Sequence, residues 1–121
     1  MADEEDFETE ALAMVIRESY DMLAAACLRL PIPVQLPDTE QRIADKMAAV
    51  VRLVDLTEDQ PMPDMQRAAL GVAALSWITV VDMIAMGITR HSDARCLAGL
   101  LAFHHLEDAI EQLQEWLDDN S

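Results

Sequence analysis

The 121-residue chain sets 8 Lys and Arg against 23 Asp and Glu, a formal net charge of −15, and 52% of it is hydrophobic with only three Gly and five Pro. That balance excludes direct nucleic-acid binding through phosphates, which needs a positive patch and counterion release, and an anionic membrane surface repels such a chain for the same reason. One packed domain of this size buries roughly two-thirds of its unfolded surface, and the excess of Ala, Leu and Met over β-branched and aromatic residues points to an all-α fold.

In chain order, residues 1–6 read as an acidic N-terminal tail expected to be disordered, and residues 7–121 as one helical bundle domain. The opening MADEEDFETE is acidic where a secretory signal starts basic and then apolar, so a cytoplasmic protein is expected. The first helix is expected from about Phe7 to Leu30, because Leu12, Val15, Ile16, Ser19, Met22, Leu23, Ala26 and Leu30 recur at three and four. Pro31, Pro33 and Pro37 must then hold the chain extended.

A second helix is expected to start at Asp38, whose spacing to Gln41 resembles a capping box. Its apolar stripe would be Ile43, Met47, Val50 and Val54, leaving Arg42, Asp45, Lys46 and Arg52 as a solvated face. After the break at Thr57 to Pro63, Asp64 is placed to cap a third helix reaching about Ile88, with Gly87 near its end. From Ala68 to Ile88 this helix has no cation and one acid, Asp82. Its length suits a membrane span, but Asp82, Ser76, Thr79, the many alanines and the lack of a positive flank favour a buried helix of a soluble protein. Those three polar residues share one side, where Asp82 is expected to find a hydrogen-bond or ion-pair partner such as His104 or Arg90.

The turn Thr89-Arg90-His91 is so short that the third helix and a fourth, capped by Ser92 and reaching about Asp119, must form a tight antiparallel hairpin. The alanine ridge Ala94, Ala98 and Ala102 is expected to bring the two close. Late in the fourth helix an apolar seam (Phe103, Leu106, Ile110, Leu113, Leu117) opposes a stripe of Glu107, Asp108, Glu111, Glu115 and Asp118. Projected backward, Leu97, Leu100 and Leu101 fall on the side of that acidic stripe. The fold expected is a single-domain bundle of about four helices with surplus apolar surface on its last two.

Chemistry finds little support in this pattern. Cys27 and Cys96 are far apart and lack CxxC spacing, which suits small buried hydrophobes in a reducing compartment. His104 shares a helix face with Glu107, Asp108 and Glu111, yet a helical di-metal site needs Glu-x-x-His pairs from two helices and none occurs. Histidine phosphotransfer domains carry His-x-x-Lys-Gly, whereas His104 is followed by His105, Leu106, Glu107 and Asp108, putting acids where a phosphate would be repelled. A helical pyrophosphohydrolase needs paired acidic motifs on neighbouring helices, and Glu18 with Asp21 has no Glu-x-x-Glu partner on a neighbouring helix.

No catalytic group, cofactor or metal is therefore expected. The function expected is a small acidic regulator that binds and inhibits a protein with a basic surface, as an antiactivator of a transcription regulator or an inhibitor of a nucleic-acid-binding protein, with carboxylates standing in for phosphates. Its interface would combine Leu97, Leu100, Leu101, Met83 and Met86 with Glu107, Asp108, Glu111, Glu115 and Asp118, and a homodimer over the same helices is expected. The alternative is a metal- or phosphohistidine-dependent enzyme or phosphocarrier using His104 and the nearby carboxylates.

Overall fold

The computed structural model describes the backbone of residues 2–120 and the side chains of Glu8 to Asn120. It contains α1 (Ala2–Leu28), α2 (Ile43–Leu56), a 3-10 turn (Thr57–Asp59), α3 (Asp64–Thr89) and α4 (Asp93–Asp119), with no strand among the described residues. The tail expected over residues 1–6 concerns Met1 and side chains that lie outside the described residues. The protein is an all-α helical bundle.

Its spine is the α3–α4 hairpin, which packs along its length. His91 takes a left-handed conformation, φ 50°, and reverses the chain, while Ser92 caps α4 by accepting from the Arg95 amide at 3.3 Å. The approach of the two helices is set by glycines. A Cβ on Gly87 would fall on Cys96 Sγ and 2.9 Å from the Cys96 amide nitrogen, and one on Gly99 would come 2.7 Å from Ile84 Cγ1. The expected alanine ridge is corrected here: Ala102 is buried, but Ala94 and Ala98 are exposed, because α4 turns its glycine side towards α3. Asp64 likewise is the first residue of α3 and pairs with Arg67, while Pro63 occupies the cap position.

One face of the hairpin is covered by α1, antiparallel to α3. Leu12, Val15 and Ile16 pack beside Val80, Ile84 and Ala102, and at the other end Arg29 Nη2 lies 2.5 Å from Asp118 Oδ1. Within α1, Ser19 is fully buried and its hydroxyl donates back to the Val15 carbonyl at 2.7 Å. Trp77, at the centre of the core, donates its indole N–H to the Ile16 carbonyl at 3.2 Å. The helix ends at Leu28, two residues before the expected Leu30. The Arg29 and Leu30 amides turn to Ala26 and Cys27 in a tightened final turn.

Helix α2 packs on α3 and departs most from expectation. Asp38 does not cap it; the Asp38 carbonyl accepts from the Gln41 amide in a turn, and the helix starts at Ile43 after an extended Arg42. The reason is tertiary. Tyr20 of α1 donates its hydroxyl to the Pro37 carbonyl, and Thr39 bonds Asp21, which ties 37–39 to α1 until the chain has turned. The buried side then becomes Lys46, Val50 and Leu53, while Ile43 is exposed. Lys46, expected in solvent, is buried with its ammonium 4.8 Å from the Tyr20 ring centroid, its stem covering apolar surface.

The proline connector bends at residues 30–32, runs without regular structure from 33 to 38, and is pinned near its start by Gln60. The buried Gln60 amide accepts from the Ile32 N–H at 3.0 Å and donates to the Ile32 carbonyl at 2.7 Å, satisfying both groups of that residue.

Candidate functional site

With α1 and α2 on one side, the opposite face of the α3–α4 hairpin is left open. On α3 it exposes Met65 (74%), Val72 (47%) and Leu75 (53%), and on α4 Leu97 (64%) and Leu101 (57%). At about 100° per residue, Met65, Val72, Ser76 and Met83 line the α3 wall of a groove, and Ala98, Leu101, His105 and Gln112 line the α4 wall. Leu75 and Asp82 form its outer shoulder on α3, and Leu97, Asp108, Glu111 and Glu115 the shoulder on α4. Its end between Met65 and Gln112 is a hollow of about 330 Å³, shared by Ala68, Val72, His105 and Asp108.

The face follows from α3 being mostly apolar on its outer side too, where Ser76, Thr79 and Asp82 are the polar residues between Ala68 and Ile88. Its buried residues, Leu70, Ala73, Ala74, Trp77, Val81 and Ile84 among them, meet α1, α2 and α4. Met65, Val72 and Leu75 on its other side are exposed, and no element among the described residues covers them. From Ala68 to Thr89, and from Cys96 to Asn120, there is no Lys or Arg, so every ordinary charge on this face is a carboxylate.

The expected interface residues are distributed unevenly over it. Leu97, Leu101, Asp108, Glu111 and Glu115 are exposed on the open side, and Met83 and Met86 are half-buried along the groove. Leu100 and Glu107 are half-buried, Glu107 beside His104, and Asp118 is engaged by Arg29, so these three are less open than the rest. Asp82 does not meet the polar partner expected of it: it is exposed on the outer shoulder of α3, and no ion pair joins it to His104 or Arg90 among the described residues. The helix there faces water, so its acid is solvated instead. Val72 and Leu75 lie in the apolar stretch from Val72 to Met86 that sequence marks as surplus, whereas Met65 extends it by one turn, and the three-and-four spacing Met65, Ala68, Val72, Leu75 is the signal for it.

Groups with chemical potential are dispersed. His104 is exposed, its Nδ1 3.1 Å from Glu107 Oε1, with its ring against the edge of Phe103. Among the described residues no three His, Cys, Asp or Glu side chains converge. Both cysteines are free; burial pushes the Cys27 thiol up to about 12, which keeps it protonated and unreactive. One helix among the described residues, α3, is long and apolar enough to cross a membrane, and half of that stretch is buried in the bundle.

Fold and face together define an all-α bundle with an open, cation-free apolar hairpin face. No protein-family model matches the chain, and no curated protein or solved structure matches it.

Proposed function

We propose that this protein is a non-catalytic regulator that captures a protein with a basic surface on the open α3–α4 face and blocks it. The observation that supports the reading is the row of exposed large apolar side chains, Met65, Val72, Leu75, Leu97 and Leu101, with the acids Asp82, Asp108, Glu111 and Glu115 along its shoulders. Contiguous apolar surface rimmed by charge marks interaction sites. The carboxylates attract a cationic partner from a distance, and the leucines hold it once docked.

The test is site-specific photo-crosslinking in the native cell. A photoreactive residue replacing Leu101 is expected to give a discrete protein adduct, and the same residue at Met14, exposed on α1, is expected to give none. The adducted protein, purified, should be inhibited by the wild-type chain and not by Leu101→Asp. Equal adducts at both positions, or a captured protein indifferent to the wild-type chain, overturns the reading.

A further inference from the structure

We infer that the occupant of the open groove is a basic amphipathic α-helix of the partner, lying between α3 and α4 with apolar residues down and Lys or Arg on both flanks. The inference rests on the proposed function and specifies its partner. Three features of the groove carry it: its floor, its length and its charge.

The floor has almost nothing for an extended backbone to bond. Of the residues lining it, Met65, Ala68, Val72, Met83, Ala98 and Leu101 offer no donors or acceptors, Ser76, His105 and Gln112 are the few polar ones, and the described residues contain no strand whose edge an extended peptide could extend. A peptide docked there as a strand would bury unpaired amides and carbonyls. A helix satisfies its own backbone and presents only side chains. Two antiparallel helices side by side also form the ridged trough into which a third packs.

The trough runs from Met65 to Asp82 along α3, about 25 Å at the rise of an α-helix, which suits a partner helix of about five turns. Its two shoulders are both acidic, Asp82 on one and Asp108, Glu111 and Glu115 on the other, without a cation between Ala68 and Thr89 or after Arg95. A helix with Lys or Arg on either side of its apolar stripe meets a carboxylate on each flank. A second copy of this chain meets only its own acids, since the same face supplies no cation to either partner. Charge therefore selects a different, basic protein over self-association.

The experiment titrates isotope-labelled protein with synthetic peptides of about 18 residues, long enough to fill the trough. One carries leucines at helical spacing flanked by lysines, and a scrambled control keeps composition and charge without the stripe. The first peptide is expected to become helical on binding and to move the amide resonances of Val72, Leu75, Thr79, Ala98, Leu101 and His105, with the scrambled peptide at least tenfold weaker. Leu101→Asp and Val72→Asp are expected to weaken binding at least tenfold, although each adds a negative charge. Met14→Asp adds the same charge away from the groove and is expected to leave binding unchanged or slightly tighter. Circular dichroism first establishes that each variant is folded.

Equal affinity for the scrambled peptide, resonances moving elsewhere, tighter binding by Leu101→Asp, or no binding at millimolar peptide each overturns the helical occupant. A wild-type dimer in sedimentation, broken by Val72→Asp, overturns it in favour of a second copy. If the photo-crosslink at Leu101 still captures an inhibited protein while the peptide fails, the proposed function stands and only the helical occupant falls.

Discussion

Tyr20 joins four parts of this protein. Its ring lies 5.2 Å from that of Trp77 and beneath the Lys46 ammonium, and its hydroxyl holds the Pro37 carbonyl, so α1, α2, α3 and the connector meet at one phenol. Burial, with a smaller contribution from the Asp21 charge, pushes this phenol up to about 12 from its usual 10.0. The folded state therefore keeps the proton to about pH 12 while the unfolded chain releases it near pH 10. Stability from this group is whole below pH 10 and is lost as the pH climbs towards 12. Tyr20→Phe keeps the ring contacts and removes both the bond and the titration. At neutral pH it should cost about 1 kcal/mol in urea unfolding. The gap between wild type and variant should then narrow through the alkaline range; a gap that widens there contradicts this account of Tyr20.

At the scale of elements, the hairpin was legible because its signals are local: a three-residue turn, a serine at the cap and a helix without polar punctuation. The exposed side of α4 was legible for a similar reason, since projection at about 100° per residue places Leu97 and Leu101 with Asp108, Glu111 and Glu115. What local sequence cannot reach is rotation decided by distant contacts. The start of α2 depends on Tyr20 holding Pro37, and the engagement of Asp118 depends on where Arg29, just past α1, lies. The alanines misled because spacing alone does not say which small residues face the neighbouring helix.

Glycine substitutions in the hairpin separate those possibilities by sign. Gly71 has no atom within 4 Å of where a Cβ would stand, so Gly71→Ala should stabilise α3 by about 0.5–1 kcal/mol through backbone entropy. Gly87→Ala must push against the Cys96 backbone and should destabilise by about 1–3 kcal/mol, the usual scale of overpacking. Thermal unfolding of the two variants should shift in opposite directions. A stabilised Gly87→Ala would mean that the helices are not in contact at that point.

At the scale of the whole molecule, a net charge of −15 on 121 residues sets self-repulsion against a few surface ion pairs. The pairs Arg29–Asp118, Arg42–Asp45 and Arg67–Asp64 are at least partly exposed, and such pairs are worth about 0–1 kcal/mol each. Screening weakens attraction and repulsion alike, but acids outnumber cations 23 to 8, so repulsion is the larger quantity removed. The melting temperature should rise as sodium chloride is raised from about 0.01 M to about 0.3 M, where the screening length falls below about 10 Å. A falling melting temperature would show that the three pairs outweigh the remaining acids. The same salt should slow capture of a basic partner, so conditions that steady the bundle also quiet its recognition face.

The burial of Lys46 reaches beyond packing, because it is the only lysine in the sequence. Every other cation is an arginine, so acylating reagents and lysine-directed crosslinkers meet a single ε-amine, on a residue only 7% exposed whose nitrogen keeps a narrow contact with solvent beside Tyr20. Bulky reagents gain full access to it when α2 lifts away from Tyr20. The rate at which Lys46 reacts, compared between small and bulky reagents, therefore reports on that opening.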